Sequence, residues 1–186
     1  MQIVSKNELI TNRKSFYPQL IECLFVYPTD HGYSLGCDAT NEQLVNKARE
    51  LKKTRTQPLS IIPPSKEWIY EHCEVSDFMR DKIEELYELD EDRDFAATLI
   101  LKTKNKPVAQ SVNNGLGTIG VKVLNHWMRK VIEKLDTPII STGANPVGGN
   151  FASKLKHLTS HIENGINLCI DEGETKVLPT MILKDE

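Results

Sequence analysis

Short apolar runs, each opening into a polar or glycine-bearing loop, alternate here with segments of helical period, and that rhythm limits the folds open to the chain. Residues 20–27 (LIECLFVY), 58–62, 97–102 (ATLILK), 118–123 (TIGVKV), 138–142, 166–170 and 176–183 read as strands. Pro28 is expected to end the first of them. Helices fit between. One spans 40–52, with Thr40 and Gln43 as a capping box and Leu44, Ala48 and Leu51 at helical spacing. Ser65 opens a second through Trp68, and Ser76 caps a third carrying Phe78, Met79, Ile83 and Leu86. Asn125 is expected to cap a fourth with Met128, Val131, Ile132 and Leu135. A fifth holds Phe151, Leu155, Leu158 and Ile162. Strand and helix alternate, though not strictly, which points to an α/β (α+β mixed) fold with a mixed sheet flanked by helices. One domain spans 1–186, with its core at about 20–183; the first 19 residues show no pattern that places them.

Composition excludes several classes. No apolar run reaches the roughly 18–20 residues of a membrane helix, and residues 1–14 lack the apolar stretch of a secretory signal. The chain is therefore expected to be cytoplasmic. Cys23, Cys37, Cys73 and Cys169 form no C-x-x-C pair, so no zinc cluster is expected. Cys23 and Cys169 read as small buried hydrophobes in a reducing compartment. Net charge is −3, but Lys47, Arg49, Lys52, Lys53 and Arg55 crowd together and residues 84–94 are acidic. The acidic run reads as a solvated helix face. The basic run ends beside a candidate site and is balanced between that reading and a functional one.

Three loops carry the candidate chemistry. Residues 115–120 match G-x-G-x-x-G, yet they follow a polar stretch and enter a strand, so they read as a turn and not a dinucleotide fingerprint. On that strand Thr118, Gly120 and Lys122 share a face, which leaves room for a ligand over Gly120. Residues 141–149 (STGANPVGG) combine glycines with Ser141, Thr142 and Asn145, groups able to hold an anion, but lack the lysine of a phosphate-binding P-loop. Residues 27–39 (YPTDHGYSLGCDA) form a third polar loop after a strand. His157 and His161 stand four apart on the expected last helix, without a glutamate between them or a third ligand, and read as structural.

Taken in order, YPTDHGYSLGCDA, TIGVK (118–122) and PIISTGANPVGG (138–149) resemble the signature runs of the YrdC/YciO family, with a form nearer the YciO branch. The stretch 52–68 and the Pro179-Thr180 ending are similar to further family segments, so the likeness runs from about residue 20 to the end. It implies a YrdC-like twisted mixed sheet and synthesis of threonylcarbamoyl-AMP from L-threonine, bicarbonate and ATP with Mg²⁺. It also implies a role in tRNA threonylcarbamoyladenosine formation, beside a partner transferase complex. On that likeness Lys53, Arg55 and Lys122 would neutralise phosphate or carboxylate charge. His31, Thr118, Ser141, Thr142 and Asn145 would hold the nucleotide or the threonine; no protein metal site is expected.

The departures are specific. His31 and Ser34 stand where the family has Thr and Gly, Gly143 replaces a Ser, Lys122 replaces an Arg, and Pro179 removes a Ser. Lys122 lacks the bidentate fork of arginine. The chain ends at Glu186, ahead of the family's last strand with its R-x-G. An enzyme is the leading expectation. A non-catalytic nucleotide- or double-stranded-RNA-binding module is the alternative, and a structural subunit with an open sheet edge is a third.

Overall fold

The computed structural model describes residues 1–89, 93–145 and 148–185. Asp90, Glu91 and Asp92 of the acidic run, and Pro146 and Val147 of the glycine-rich loop, lie outside the described residues. The N-terminal segment forms strand β1 (Gln2–Ser5) and helices α1 (Lys6–Thr11) and α2 (Arg13–Glu22). Ser5 caps α1 reciprocally: its hydroxyl accepts from the Glu8 N–H, and the Glu8 carboxylate accepts from the Ser5 N–H at 2.8 Å.

Residues 20–22 end α2 and do not begin a strand; β2 is Phe25–Thr29, followed by β3 (Gly32–Gly36). Pro28 does not end β2. It faces Tyr33, whose N–H goes to the Ala152 carbonyl and whose carbonyl accepts from the Ala144 N–H. The pair is thus a non-hydrogen-bonded one, and proline's missing donor points away from β3. The next helix, α3 (Glu42–Lys52), is capped by Asn41, whose side-chain oxygen accepts from the Gln43 and Leu44 N–H groups. Thr40 instead gives its hydroxyl to Asp38, so the expected Thr40 capping box does not form.

Strand β4 (Ser60–Ile62) and helices α4 (Lys66–His72) and α5 (Asp77–Glu88) follow, with Ser65 and Ser76 as N-caps as expected. Then come β5 (Ala96–Lys102), the single turn α6 (Gln110–Asn113), β6 (Thr118–Val123), α7 (Met128–Leu135) and β7 (Ile139–Gly143). Asn125 does not cap α7. The helix begins three residues later, and the Met128 N–H is accepted by His126 Nδ1 at 3.3 Å.

The segment from Phe151 to Ile162 is not one helix. A 3₁₀ turn, Leu155–His157, is broken by extended backbone at Leu158, and Thr159 caps α8 (Ser160–Gly165). His157 and His161 therefore sit on separate elements. Strands β8 (Leu168–Asp171) and β9 (Thr180–Lys184) complete the chain. Residues 176–178, expected in the last strand, instead cross the β2–β3 turn: the Gly32 N–H donates to the Lys176 carbonyl and the Leu178 N–H to that of Asp30.

The nine strands form one mixed sheet, ordered β1-β8-β2-β3-β7-β4-β6-β5-β9. Pairs β1–β8, β8–β2, β4–β6 and β5–β9 are parallel and the others antiparallel. Alternation along β2 shows how both faces are covered. Val26 joins a cluster with Leu44, Val45, Ile69 and Met79 on one side; Phe25 and Tyr27 join Leu9, Leu20, Met128 and Ile132 on the other. At 25 cal/mol per Å², each such buried side chain contributes roughly 1.5–3 kcal/mol. No helix of the described residues is long and apolar enough to cross a membrane. The four cysteines are free; Cys169 is buried, whereas Cys23 ends α2 half-buried.

Candidate functional site

The site lies on the sheet face that packs α7, beyond the reach of that helix. Ile62 and Ile139 face α7 and its neighbours. Two residues before Ile62 and two after Ile139, on the same face, stand Ser60 and Ser141. Ser60 pairs with Ser141 on one side and with Gly120 on the other, so three small residues form a row across β7, β4 and β6. Thr118 and Lys122 flank Gly120 on that face, while Ile119, Val121 and Val123 point into the opposite cluster. The same-face grouping of Thr118, Gly120 and Lys122 expected from alternation is present. The room expected over Gly120 is not: a Cβ there would meet Ser60 Oγ at 2.7 Å. Serine's hydroxyl fills that space.

Two lysines converge on the end of β7 and the residues just after it. Lys122 Nζ donates to Ser141 Oγ at 3.3 Å. Lys52 Nζ, on the last turn of α3, donates to the Gly143 carbonyl at 2.6 Å and also to the Asn145 carbonyl. Burial pushes both amines down to about 8. The charge on Lys122 pushes Lys52 further the same way, and Asp30 pulls Lys122 back up. Two amines disfavoured by burial stand here beside hydroxyls and an amide, an arrangement that added negative charge would stabilise. Asp30 itself is fixed from behind, accepting from the Asn125 N–H at 2.9 Å and from buried Arg93 at 3.3 Å.

The loop is shaped around its glycine. A Cβ on Gly143 would run into Asn145 Oδ1 and come within 3.0 Å of the Phe151 ring. Asn145 donates its amide to the Gly149 carbonyl at 2.6 Å, closing the loop. Thr142, half-buried, pairs with Leu35 across β3–β7. His31 sits in the β2–β3 turn, edge-on to Phe151 at 4.1 Å, with Nδ1–H donating to the Leu178 carbonyl at 2.5 Å. It joins the β2–β3 turn, the Phe151 segment and the C-terminal crossing.

Of the expected site residues, the structure puts Lys122, Ser141 and Thr118 on one sheet face with Asn145 just past the end of β7, while Thr142 alternates to the opposite face beside Leu35. Lys53 and Arg55 stand apart. Both are exposed and line a shallow hollow of about 610 Å³ with Asn46 and Ser111. Lys53 occupies the left-handed cap of α3, at φ 53°, which turns the chain outward. Lys52, passed over in favour of its neighbours, is the basic residue turned inward. Leu44, Ala48 and Lys52 recur every four residues, which puts all three on the buried stripe of α3; that periodicity was a usable signal. Arg49, also in the basic run, donates to the carbonyls of Gln57, Ser111 and Val112 and braces the fold.

A mixed sheet flanked by helices, with two lysines, hydroxyls and a glycine-bearing loop at its strand ends, defines a YrdC-like α/β protein. The family described as "Telomere recombination" (Sua5/YciO/YrdC) matches residues 22–184, and the chain belongs to that family. It is 30% identical over 142 residues to the threonylcarbamoyl-AMP synthase of Saccharophagus degradans, covering 70% of this chain and 71% of that one. It is 29% identical to the protein of the same name from Pyrococcus abyssi, of which it spans only 44%. P. abyssi Sua5 complexed with L-threonine superposes with a TM-score of 0.82 at 21% identity, covering 99% of this chain and 54% of that one. E. coli YciO gives 0.76 at 18% identity, covering 100% and 90%. These likenesses bear out the YrdC-like fold.

Proposed function

We propose that this chain is a threonylcarbamoyl-AMP synthase-type nucleotidyltransferase, acting in tRNA threonylcarbamoyladenosine formation beside a partner transferase complex. One observation carries the chemistry: Lys52 and Lys122 converge on the Ser141–Asn145 segment. Threonine's amine takes up bicarbonate, releasing water and leaving a carbamate. A carbamate oxygen then attacks the α-phosphorus of ATP; the bond to the β-phosphate's bridging oxygen breaks and pyrophosphate leaves. Such a displacement needs positioning and neutralised charge more than a protein nucleophile. In this reading Lys52 and Lys122 neutralise phosphate or carboxylate charge, Ser141 and Thr118 orient the nucleotide, and Lys53 and Arg55 extend positive potential along the rim. Among the described residues no three acidic, histidine or cysteine side chains gather as a metal cage. In this reading magnesium arrives on the triphosphate.

A non-catalytic nucleotide- or RNA-binding module is the second reading, favoured by the Asn145 amide being bound to Gly149. Purified protein mixed with ATP, L-threonine, bicarbonate and Mg²⁺ separates them. Mass spectrometry is expected to show threonylcarbamoyl-AMP that disappears when threonine is withheld. Bound ATP without product would replace the enzyme by the module.

A further inference from the structure

A second surface, away from these lysines, has its own character. A groove of about 980 Å³ runs between the α1–α2 pair and α7. Its rims carry five cations, Lys6, Arg13, Lys14, Lys130 and Lys134, all exposed, and no acid among the described residues lines it. In a chain of net charge −3 this is a local reversal. Its floor is apolar, with Ile10, Pro18, Val131 and the half-buried ring of Tyr17. Lys130, Val131 and Lys134 follow Trp127 at helical spacing, so one whole face of α7 forms a wall. Ile10 is 41% exposed although it points into a concave surface.

The occupant's chemistry follows from the floor. A duplex is held by polar contacts to phosphate and sugar and gains little from an apolar floor, whereas a single strand needs exposed aromatic platforms on which bases stack, and Tyr17 is half-buried. Trp127 is committed elsewhere: Lys6 sits over its ring at 4.9 Å, and its Nε1–H donates to Glu172 at 2.5 Å. What remains is an apolar trough between basic rims, shaped by two helical walls, and that complements an amphipathic helix with acidic flanks. We infer that the groove between α1–α2 and α7 docks an acidic amphipathic helix of a partner protein, independently of the nucleotide site.

The probe is a fluorescein-labelled 15-residue peptide with leucines on one helical face and glutamates elsewhere, titrated into the full chain and followed by anisotropy. Controls are a scrambled peptide of the same composition and labelled single- and double-stranded 12-mer RNAs. Lys130→Glu/Lys134→Glu and Arg13→Glu/Lys14→Glu alter opposite walls, with circular dichroism confirming that each variant is folded. The expected result is peptide binding that weakens at least about tenfold in each folded variant, less binding of the scrambled peptide, and weaker binding by both RNAs. No peptide binding, equal affinity for the scrambled peptide, or unchanged affinity in the folded variants overturns the inference. Tighter RNA binding lost in the same variants would make the groove a nucleic-acid surface instead.

Discussion

Lys52 Nζ lies 2.6 Å from the Gly143 carbonyl oxygen and also donates to the Asn145 carbonyl, so one amine from α3 fixes both ends of the Gly143–Asn145 turn. Lysine is 5% exposed here and its bond to the Asn145 carbonyl is buried, while the Gly143 carbonyl also accepts from the Asn145 N–H at 2.8 Å. Replacing it by methionine keeps the apolar stem and removes the donor. An orphaned buried acceptor costs about 1–3 kcal/mol. Lys52→Met is therefore expected to lose about that much in urea denaturation and to lose product formation in the synthase assay. Full stability in the variant would mean the carbonyls find other donors.

Lys122→Met should behave differently. It loses one hydrogen bond, to Ser141, and removes a charge that burial disfavours. Its thermal midpoint at neutral pH is expected to equal or exceed that of the parent while turnover is lost. Lys52 should then titrate above its present value of about 8, because Lys122 is one of the groups holding it down. NMR of ¹³Cε-labelled lysine reads this directly, and an unmoved Lys52 would deny the coupling.

The same two amines set a pH dependence. Both fall to about 8 in the folded chain against an ordinary value near 10.4. Between those limits the unfolded chain holds more protons, so stability rises with pH across that window. Below pH 8 both states are protonated and the penalty is complete. Chemical denaturation from pH 7 to 10 should show the rise, shallower in Lys122→Met. ATP, by supplying negative charge, should raise both values and draw in protons near pH 8, which calorimetry in buffers of different ionisation enthalpy detects.

Gly120 and Ser60 make a pair that can be tested as one. An alanine at 120 places its Cβ 2.7 Å from Ser60 Oγ but 3.4 Å from Ser60 Cβ. Gly120→Ala should cost about 1–3 kcal/mol by overpacking, and Ser60→Ala should restore most of it. Additive losses in the double variant would show that the two residues do not share the space.

How far the sequence disclosed this depended on the range of the forces involved. Residues 118–123 alternate cleanly, and β6 has those same bounds. Asn41 displaced Thr40 as the α3 cap because Asp38, two residues back, captures the Thr40 hydroxyl, a competition that spacing alone does not reveal. Strand β1 is four residues long and pairs with β8, some 165 positions away, so nothing local marks it. Ser60 reaches the site only because β4 lies between β6 and β7. Lys52 was within reach of a helical-phase argument; the choice of Lys53 and Arg55 followed likeness to a motif, not the stripe of Leu44 and Ala48.

Asp30 is the remaining hinge between fold and site. Its carboxylate accepts from Arg93 Nη2, whose side chain is 1% exposed and also donates to the Phe95 and Val123 carbonyls. It is also the negative charge that raises Lys122. Asp30→Asn preserves shape and can still accept from the Asn125 N–H, but it takes from a buried guanidinium the carboxylate that pairs with it among the described residues. Breaking a buried pair from one side costs about 3–5 kcal/mol, so a loss of that size is expected in urea denaturation. Lys122 should at the same time titrate lower, since the charge that opposes its burial is gone. Reversing the charge removal elsewhere offers a control: Arg93→Met in the Asp30→Asn background eliminates the stranded cation and should recover part of the lost stability. If Asp30→Asn leaves both stability and the Lys122 titration unchanged, Asp30 supports neither the core nor the site.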